Sequence, residues 1–124
     1  MGILLNNNYI DKEIDFDYVV ASKFPSGSDD ETGWYRLYKS GWIEQGGISK
    51  GTSGTKNIIF AIPYNEPPII LVTPQTSGLI AGDGNAFDYC SVQNVTGDSF
   101  DLNKSNTSVR WVSYGQTNVT AETL

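Results

Sequence analysis

Few residues of this chain could do chemistry, and their spacing suits binding better than bond breaking. Asp83 with Asp88, and Asp98 with Asp101, have the residue types of a glycoside hydrolase, which needs only two carboxyl groups at a set separation. Both pairs fall in or beside turns, where Asp is favoured for local hydrogen bonding. The chain has no histidine, which removes the Ser-His-Asp and Cys-His routes and the commonest metal ligand. Cys90 is the only cysteine, so neither an intrachain disulfide nor a thiolate zinc site can form. It sits in the apolar run Tyr89-Cys90-Ser91-Val92 and is expected to be a buried structural thiol. Gly82-Asp83-Gly84-Asn85 has the look of a calcium loop but lacks the ligand count. No Gly-x-x-x-x-Gly-Lys-Ser/Thr phosphate loop is present. The expectation is a protein without catalytic residues, metal or cofactor.

Recognition by surface remains. Residues 75–87 form the longest irregular stretch, and long loops on rigid β scaffolds carry binding function. Gln75, Asp83 and Asn85 can hydrogen-bond sugar hydroxyls, while Phe87 or Tyr89 offers an apolar face to a sugar ring. The alternative is an ordinary loop whose Leu79, Ile80 and Phe87 pack onto the domain or a neighbour. Tyr64 and Asn65 are a second, weaker candidate patch.

The elements that must position these residues are short strands. Runs rich in Val, Ile, Tyr, Phe and Trp are punctuated by Gly, Pro and Asn, and no long helical periodicity occurs. The length of 124 residues fits one domain. The spacing predicts strands over Tyr18–Ala21, Asn57–Ile62, Ile69–Thr73, Tyr89–Val95, Ser99–Leu102 and Ser108–Tyr114. Pro25–Gly33 reads as a polar loop, 47–55 as a mobile Gly/Ser/Thr-rich stretch, and Pro63–Pro68 as a proline-fixed joint. The strongest local pattern is Trp34-Tyr35-Arg36-Leu37-Tyr38, then Lys39-Ser40-Gly41, then Trp42-Ile43-Glu44-Gln45-Gly46-Gly47. Gly41 supplies the positive φ of a three-residue turn with a bulge. With Tyr38 opposite Trp42, Leu37 faces Ile43, Arg36 faces Glu44, Tyr35 faces Gln45 and Trp34 covers Gly46, all favourable cross-strand pairs. The fold class is therefore all-β, a small antiparallel β-sandwich of about 6–8 short strands.

This hairpin also resembles a known family. Trp-Tyr-Arg-x-Tyr-x-x-Gly-Trp-x-Glu-Gln-Gly-Gly is similar to the motif that opens the C-terminal domain of many bacteriophage and prophage tail fibres. The lead-in Asp17–Pro25 is similar to the segment before that motif, and Val109-Arg110-Trp111-Val112-Ser113-Tyr114-Gly115 to its closing strand. The resemblance spans about Asp17 to Gly115. It implies a lead-in or shaft end over 1–16 and a tip domain over 17–124, assembled as a homotrimer in the virion and acting outside the host cell. It also implies a bacterial surface glycan or outer-membrane receptor as partner. Trp34, Tyr35, Arg36, Tyr38, Gly41, Trp42, Glu44 and Trp111 would then be structural hairpin or interface residues; the hairpin aromatics Trp34, Tyr35, Tyr38 and Trp42 suit a core or subunit interface, with sugar stacking as the alternative. A structural trimerisation or capping module, or the terminal module of a polysaccharide depolymerase, is the alternative. The lead-in is short for a complete fibre, so a terminal fragment or a small companion protein is expected.

Charge bears on the partner class and on the lead-in, whose acidic run reads as a solvated segment. The net charge is −6. Residues 1–33 hold seven acids against Lys12 and Lys23, giving −5, and 34–124 hold seven acids against six bases, giving −1. Without a basic stripe, nucleic-acid binding is not expected. No apolar run reaches membrane-spanning length, so no membrane insertion is expected. Met1–Leu5 lacks the basic start and full apolar region of a signal peptide. The Asn-x-Ser/Thr triplets at Asn94, Asn103, Asn106 and Asn118 are expected by chance in so Asn/Thr-rich a chain.

Overall fold

The computed structural model describes residues 3–5, 8–10, 16–24, 33–75 and 88–124. In the lead-in, β1 (Ile3–Leu5) pairs antiparallel with β2 (Asn8–Ile10). Eight further strands form two antiparallel sheets. The larger runs, in spatial order, β3 (Val19–Lys23), β4 (Trp34–Tyr38), β5 (Trp42–Ser49), β10 (Ser108–Gln116) and β7 (Ile69–Gln75). The smaller runs β6 (Gly54–Ile59), β9 (Ser99–Lys104) and β8 (Cys90–Gln93). One 3-10 turn, Ala121–Thr123, follows β10. Among the described residues no helix is long and apolar enough to cross a membrane.

Alternation along the strands decides what faces inward. Leu37, Ile43, Val109 and Trp111 from the larger sheet meet Phe100 and Leu102 from the smaller one. Phe60, Ile62 and Tyr64 fill the seam from the segment that crosses between the sheets. Leu37, Ile43, Ile62, Phe100, Leu102 and Val109 are fully buried, and each contributes about 1.5–3 kcal/mol on leaving water. A bulge between Val19 and Ala21 lets the adjacent Val20 and Ala21 both pack on this core.

The hairpin has the expected register, with Trp34 opposite Gly46, Tyr35 opposite Gln45, Arg36 opposite Glu44 and Leu37 opposite Ile43. Its turn closes with the Gly41 N–H donating to the Tyr38 carbonyl at 3.0 Å, and Gly41 has φ +91°. Two indoles then use the glycine pair from opposite faces. Trp34 lies over Gly46 on the outer face, and Trp111 lies over its β10–β5 partner Gly47 on the core face. A methyl group on Gly46 would sit 2.6 Å from the Trp111 carbonyl oxygen and 2.8 Å from Trp34 Nε1. Trp111 in turn meets the Phe100 ring at 5.4 Å and the Phe60 ring at 6.0 Å. It is therefore a core residue, where an interface role was an expectation.

The stretch 47–55 is strand at both ends, which its Gly/Ser/Thr-rich composition does not suggest. Gly47, Ile48 and Ser49 complete β5 and are buried, and Gly54–Thr55 begin β6. Two lysines fasten the turn between them. The buried Lys104 donates through Nζ to the carbonyls of Gly51 (3.1 Å) and Thr107 (2.7 Å), and Lys56 Nζ donates to that of Lys50. The strand expected over Asn57–Ile62 ends at Ile59; the Phe60 N–H keeps one more bond, to the Asp98 carbonyl at 3.0 Å, before the chain crosses the sandwich. β7 continues through Pro74, which an edge strand tolerates since one side of its ladder is unpaired. The Pro25–Gly33 loop lies outside the described residues except for Gly33.

Gly46→Ala should overpack this seat and lower stability by about 1–3 kcal/mol. Urea denaturation checks it against Thr52→Ala at an exposed position; an unchanged midpoint for Gly46→Ala would mean that Trp34 is not seated on the glycine.

Candidate functional site

The β5–β10–β7 ladder brings three distant segments together at one end of the sandwich. Trp42 opens β5, Tyr114 nears the end of β10, and Ile69 opens β7 as the ladder partner of Tyr114. Together with Asn65, Glu66, Pro67, Pro68, Gly115 and Gln116 they line an open groove of about 430 Å³. The Trp42 and Tyr114 rings lie 5.8 Å apart and are tilted by 38°, giving an aromatic wall. Glu44 steadies this wall, accepting from Trp42 Nε1 at 3.5 Å and Tyr38 Oη at 3.4 Å, and pairing with Arg36 Nε at 3.3 Å. Arg36 also lies 5.2 Å from the Trp34 ring centroid. These exposed contacts orient side chains more than they stabilise the fold.

The opposite wall is built by the crossing segment. Gln45 is buried and grips Ile62 through two bonds, Nε2 to the Ile62 carbonyl at 2.6 Å and the Ile62 N–H to Oε1 at 3.2 Å. Tyr64 Oη bonds Ser113 Oγ at 2.7 Å, and burial pushes its phenol above the usual range. Tyr64, a candidate receptor contact from sequence, is thus a core residue whose ring and hydroxyl are both used inside. Its neighbour Asn65 is exposed and forms a clasp. Nδ2 donates to Asn118 Oδ1 at 3.1 Å, and Oδ1 accepts the Asn118 N–H at 2.9 Å.

A second groove, about 400 Å³, lies on the other side of that clasp. It is lined by Tyr18, Val20, Leu37, the turn 38–41 and residues 117–122. The Asp17 carboxylate closes its rim, accepting from Ser40 Oγ at 2.6 Å, the Ser40 N–H at 3.0 Å and the Tyr18 N–H at 3.1 Å. The Ser40 hydroxyl, followed by the Ser40 amide, holds the Asp17 carboxyl below the usual aspartate range. Lys39 Nζ stands 5.5 Å from the Tyr18 ring centroid.

The other candidates from sequence are scattered. Gln75 ends β7 and Tyr89 precedes β8, both exposed. Thr107 donates to the Gln75 carbonyl, while the Tyr89 N–H donates to Ser105. Gln75 therefore sits at the far end of β7, about 20 Å from Ile69 at the usual rise per residue, and Tyr89 lies beside Ser105, just after the end of β9. Asp83, Asn85 and Phe87, with the rest of 76–87, lie outside the described residues, as does the Asp83 member of the Asp83–Asp88 pair. In the Asp98–Asp101 pair, Asp101 accepts from Asn94 and Asn57 at 2.9 and 3.0 Å, which holds its carboxyl low. A general acid needs the opposite shift, whereas the ionised partner of such a pair does not. Cys90 is half-buried against the core, and desolvation raises its thiol. Among the described residues no three His, Cys, Asp or Glu side chains converge as a metal site. Glu66, Pro67, Tyr114 and Gln116 were missed as groove residues, since only the pairing of β10 with β5 and β7 brings them to Trp42.

No protein-family profile and no curated protein sequence matches this chain. The fold does match solved structures. One is the R2 pyocin fibre of P. aeruginosa, in a C-terminal piece, with TM-score 0.56 and 12% identity over 79% of this chain and 26% of that one. Another is an N-truncated R2-type pyocin tail fibre, with TM-score 0.57 and 12% identity over 80% of this chain and 39% of that one. This chain thus spans well under half of the fibre chains whose fold it shares.

The depressed Asp17 carboxyl stabilises the Phe16–Tyr18 anchorage above the unfolded-state aspartate pKa, about 3.9, and that contribution is lost as pH falls through the lower folded value. An NMR titration should place the Asp17 midpoint below that of an ordinary aspartate, with the Ser40 amide resonance moving in step. A midpoint at or above the ordinary value would contradict the clasp.

Proposed function

We propose that this chain is a tail-fibre domain that adheres to a bacterial surface glycan, acts as a homotrimer and catalyses no reaction. The carrying observation is the Trp42–Tyr114 groove, an aromatic wall facing Asn65, Glu66 and Gln116 at one end of a rigid sandwich. Sugar rings present apolar faces and a fringe of hydroxyls, and this wall offers a partner for each. The fold shared with two pyocin fibre structures supports the tail-fibre context. The hairpin motif, resembling that of tail-fibre tips, supports it independently. Virion location and action outside the host cell follow from that context. Reversible attachment through a shallow groove suits a trimer, because three weak sites on one tip bind with avidity.

Removing Trp42 tests this reading. Trp42→Ala should weaken adhesion of the purified protein to a bound strain by about 30-fold, the size of a 2 kcal/mol anchor, with its circular dichroism unchanged. Tyr89→Ala, at the far end, should leave adhesion intact. The reverse pattern would move the site to the far end, and loss in neither would remove both assignments.

One observation favours a second reading, a structural trimerisation or capping module. On the outer face of the larger sheet, Ile69, Leu71 and Val112 are exposed side by side on paired strands. Such an apolar strip suits burial against another copy. Leu71→Asp should convert a trimer to monomer in sedimentation analysis. A wild-type protein that is already monomeric would remove the homotrimer from the proposal.

A further inference from the structure

We infer that the adhesion site continues across the outer face of the larger sheet to a second sugar subsite, the cleft between Phe24 and Trp34, so that the ligand is an oligosaccharide spanning both. This rests on the adhesion reading above and adds a subsite and the length of the ligand.

The cleft has a volume of about 220 Å³ and is lined by Lys23, Phe24, Trp34 and Arg36. The register that pairs Lys23 with Tyr35 sets Phe24 beside Trp34. Phe24 is 75% exposed and stands outside the core cluster, so its ring is open to a ligand. Trp34 is seated on Gly46, which fixes one wall before any ligand arrives. Two aromatic side chains at one opening suit a sugar ring, whose faces are apolar.

The cleft and the Trp42–Tyr114 groove share one face of the sheet. Trp34 and Arg36 of β4, and Trp42, Glu44 and Gly46 of β5, alternate with the inward-facing Leu37, Ile43 and Gln45. An unbroken set of contacts joins the two sites. The Arg36 guanidinium lies 5.2 Å from the Trp34 ring centroid, and its Nε meets Glu44 Oε1 at 3.3 Å. Glu44 Oε2 accepts from Trp42 Nε1 at 3.5 Å, and the Trp42 ring lies 5.8 Å from that of Tyr114. Trp34 is opposite Gly46, four residues along β5 from Trp42, a separation of about 14 Å at the usual rise. The Arg36–Glu44 pair occupies the middle of this path. Its two charges offset each other, so it acts on a ligand through directed hydrogen bonds. A guanidinium carries more N–H donors than the Nε contact uses, and the two side chains keep 48% and 30% of their surface exposed. Hydroxyl groups, donors and acceptors in one, match such a pair, whereas a protein surface laid over it would have to desolvate both charges.

The test uses the full chain and delipidated surface polysaccharide from a strain to which it adheres, cut into fragments of increasing length. Calorimetry should show affinity rising by about tenfold or more from the shortest fragments to those that reach from Trp42 to Trp34. Phe24→Ala, a change at an exposed position, should remove that gain and leave the shortest fragments binding as before. Arg36→Lys, which keeps the charge and loses the planar fork, should reduce the same gain. Length-independent affinity that depends on Trp42 but on neither Phe24 nor Arg36 would confine the ligand to the first groove and overturn this inference while sparing the adhesion reading. An oligomer that Phe24→Ala or Arg36→Lys splits in sedimentation analysis would give this face to a second copy, and that too would overturn it. Binding of every fragment that is indifferent to Trp42→Ala would remove the adhesion reading at this end of the domain, and this inference with it.

Discussion

The seating of two indoles on one glycine pair is the constraint on which this domain depends. Gly46 and Gly47 are adjacent in β5, so their missing side chains open opposite faces of the sheet. Trp111 uses the inner opening and Trp34 the outer. The inner seat matters most. Held flat against Gly47, Trp111 reaches Phe100 of the smaller sheet and Phe60 of the crossing segment, so one residue joins all three parts of the core. A side chain at position 47 would lift the ring and separate the layers that it joins. The seat also explains why a glycine-rich stretch is buried strand here, although glycine is usually a weak strand former.

The crossing segment builds the Trp42–Tyr114 end of the sandwich from the same materials that close the core. After β6 the backbone leaves its ladder, and Gln45 replaces the lost strand partner by bonding both polar groups of Ile62. Tyr64 then anchors on Ser113, which itself donates to the Gln45 carbonyl at 3.3 Å. With these inner groups satisfied, as buried polar groups must be, the next residues are directed outward. Asn65 clasps Asn118, and Pro67–Pro68 lead into β7 along the edge of the Trp42–Tyr114 groove. Groove geometry is thus inherited from a buried hydrogen-bond network.

The local features were legible in the residues. The hairpin register followed from five cross-strand pairs that agreed with one turn, and the turn followed from Gly41. The all-β class followed from short apolar runs between Gly, Pro and Asn. Strand ends were less legible, because the ladder partner and not the strand itself sets them. β10 continues to Gln116 since Trp42 lies opposite, and β6 stops at Ile59 since the chain is needed elsewhere. Tyr64 and Asn65 show the limit within a site. Adjacent and equally polar in appearance, they separate completely once one is turned to the core and the other to solvent.

What the sequence determined by itself was every feature whose partners lie within one turn of chain: the hairpin, its register, the glycine covered by Trp34, and the lack of histidine chemistry. Tertiary structure alone decided that Trp111 rests on Gly47 and that Trp42, Tyr114 and Glu66 share a groove. It also decided that two buried or half-buried lysines fasten the turn after β5. The physical reason is sequence separation. A hairpin pair is enforced by its own turn, whereas β5 meets β10 across some sixty residues, and only the burial of the common core selects that pairing among many of similar local merit.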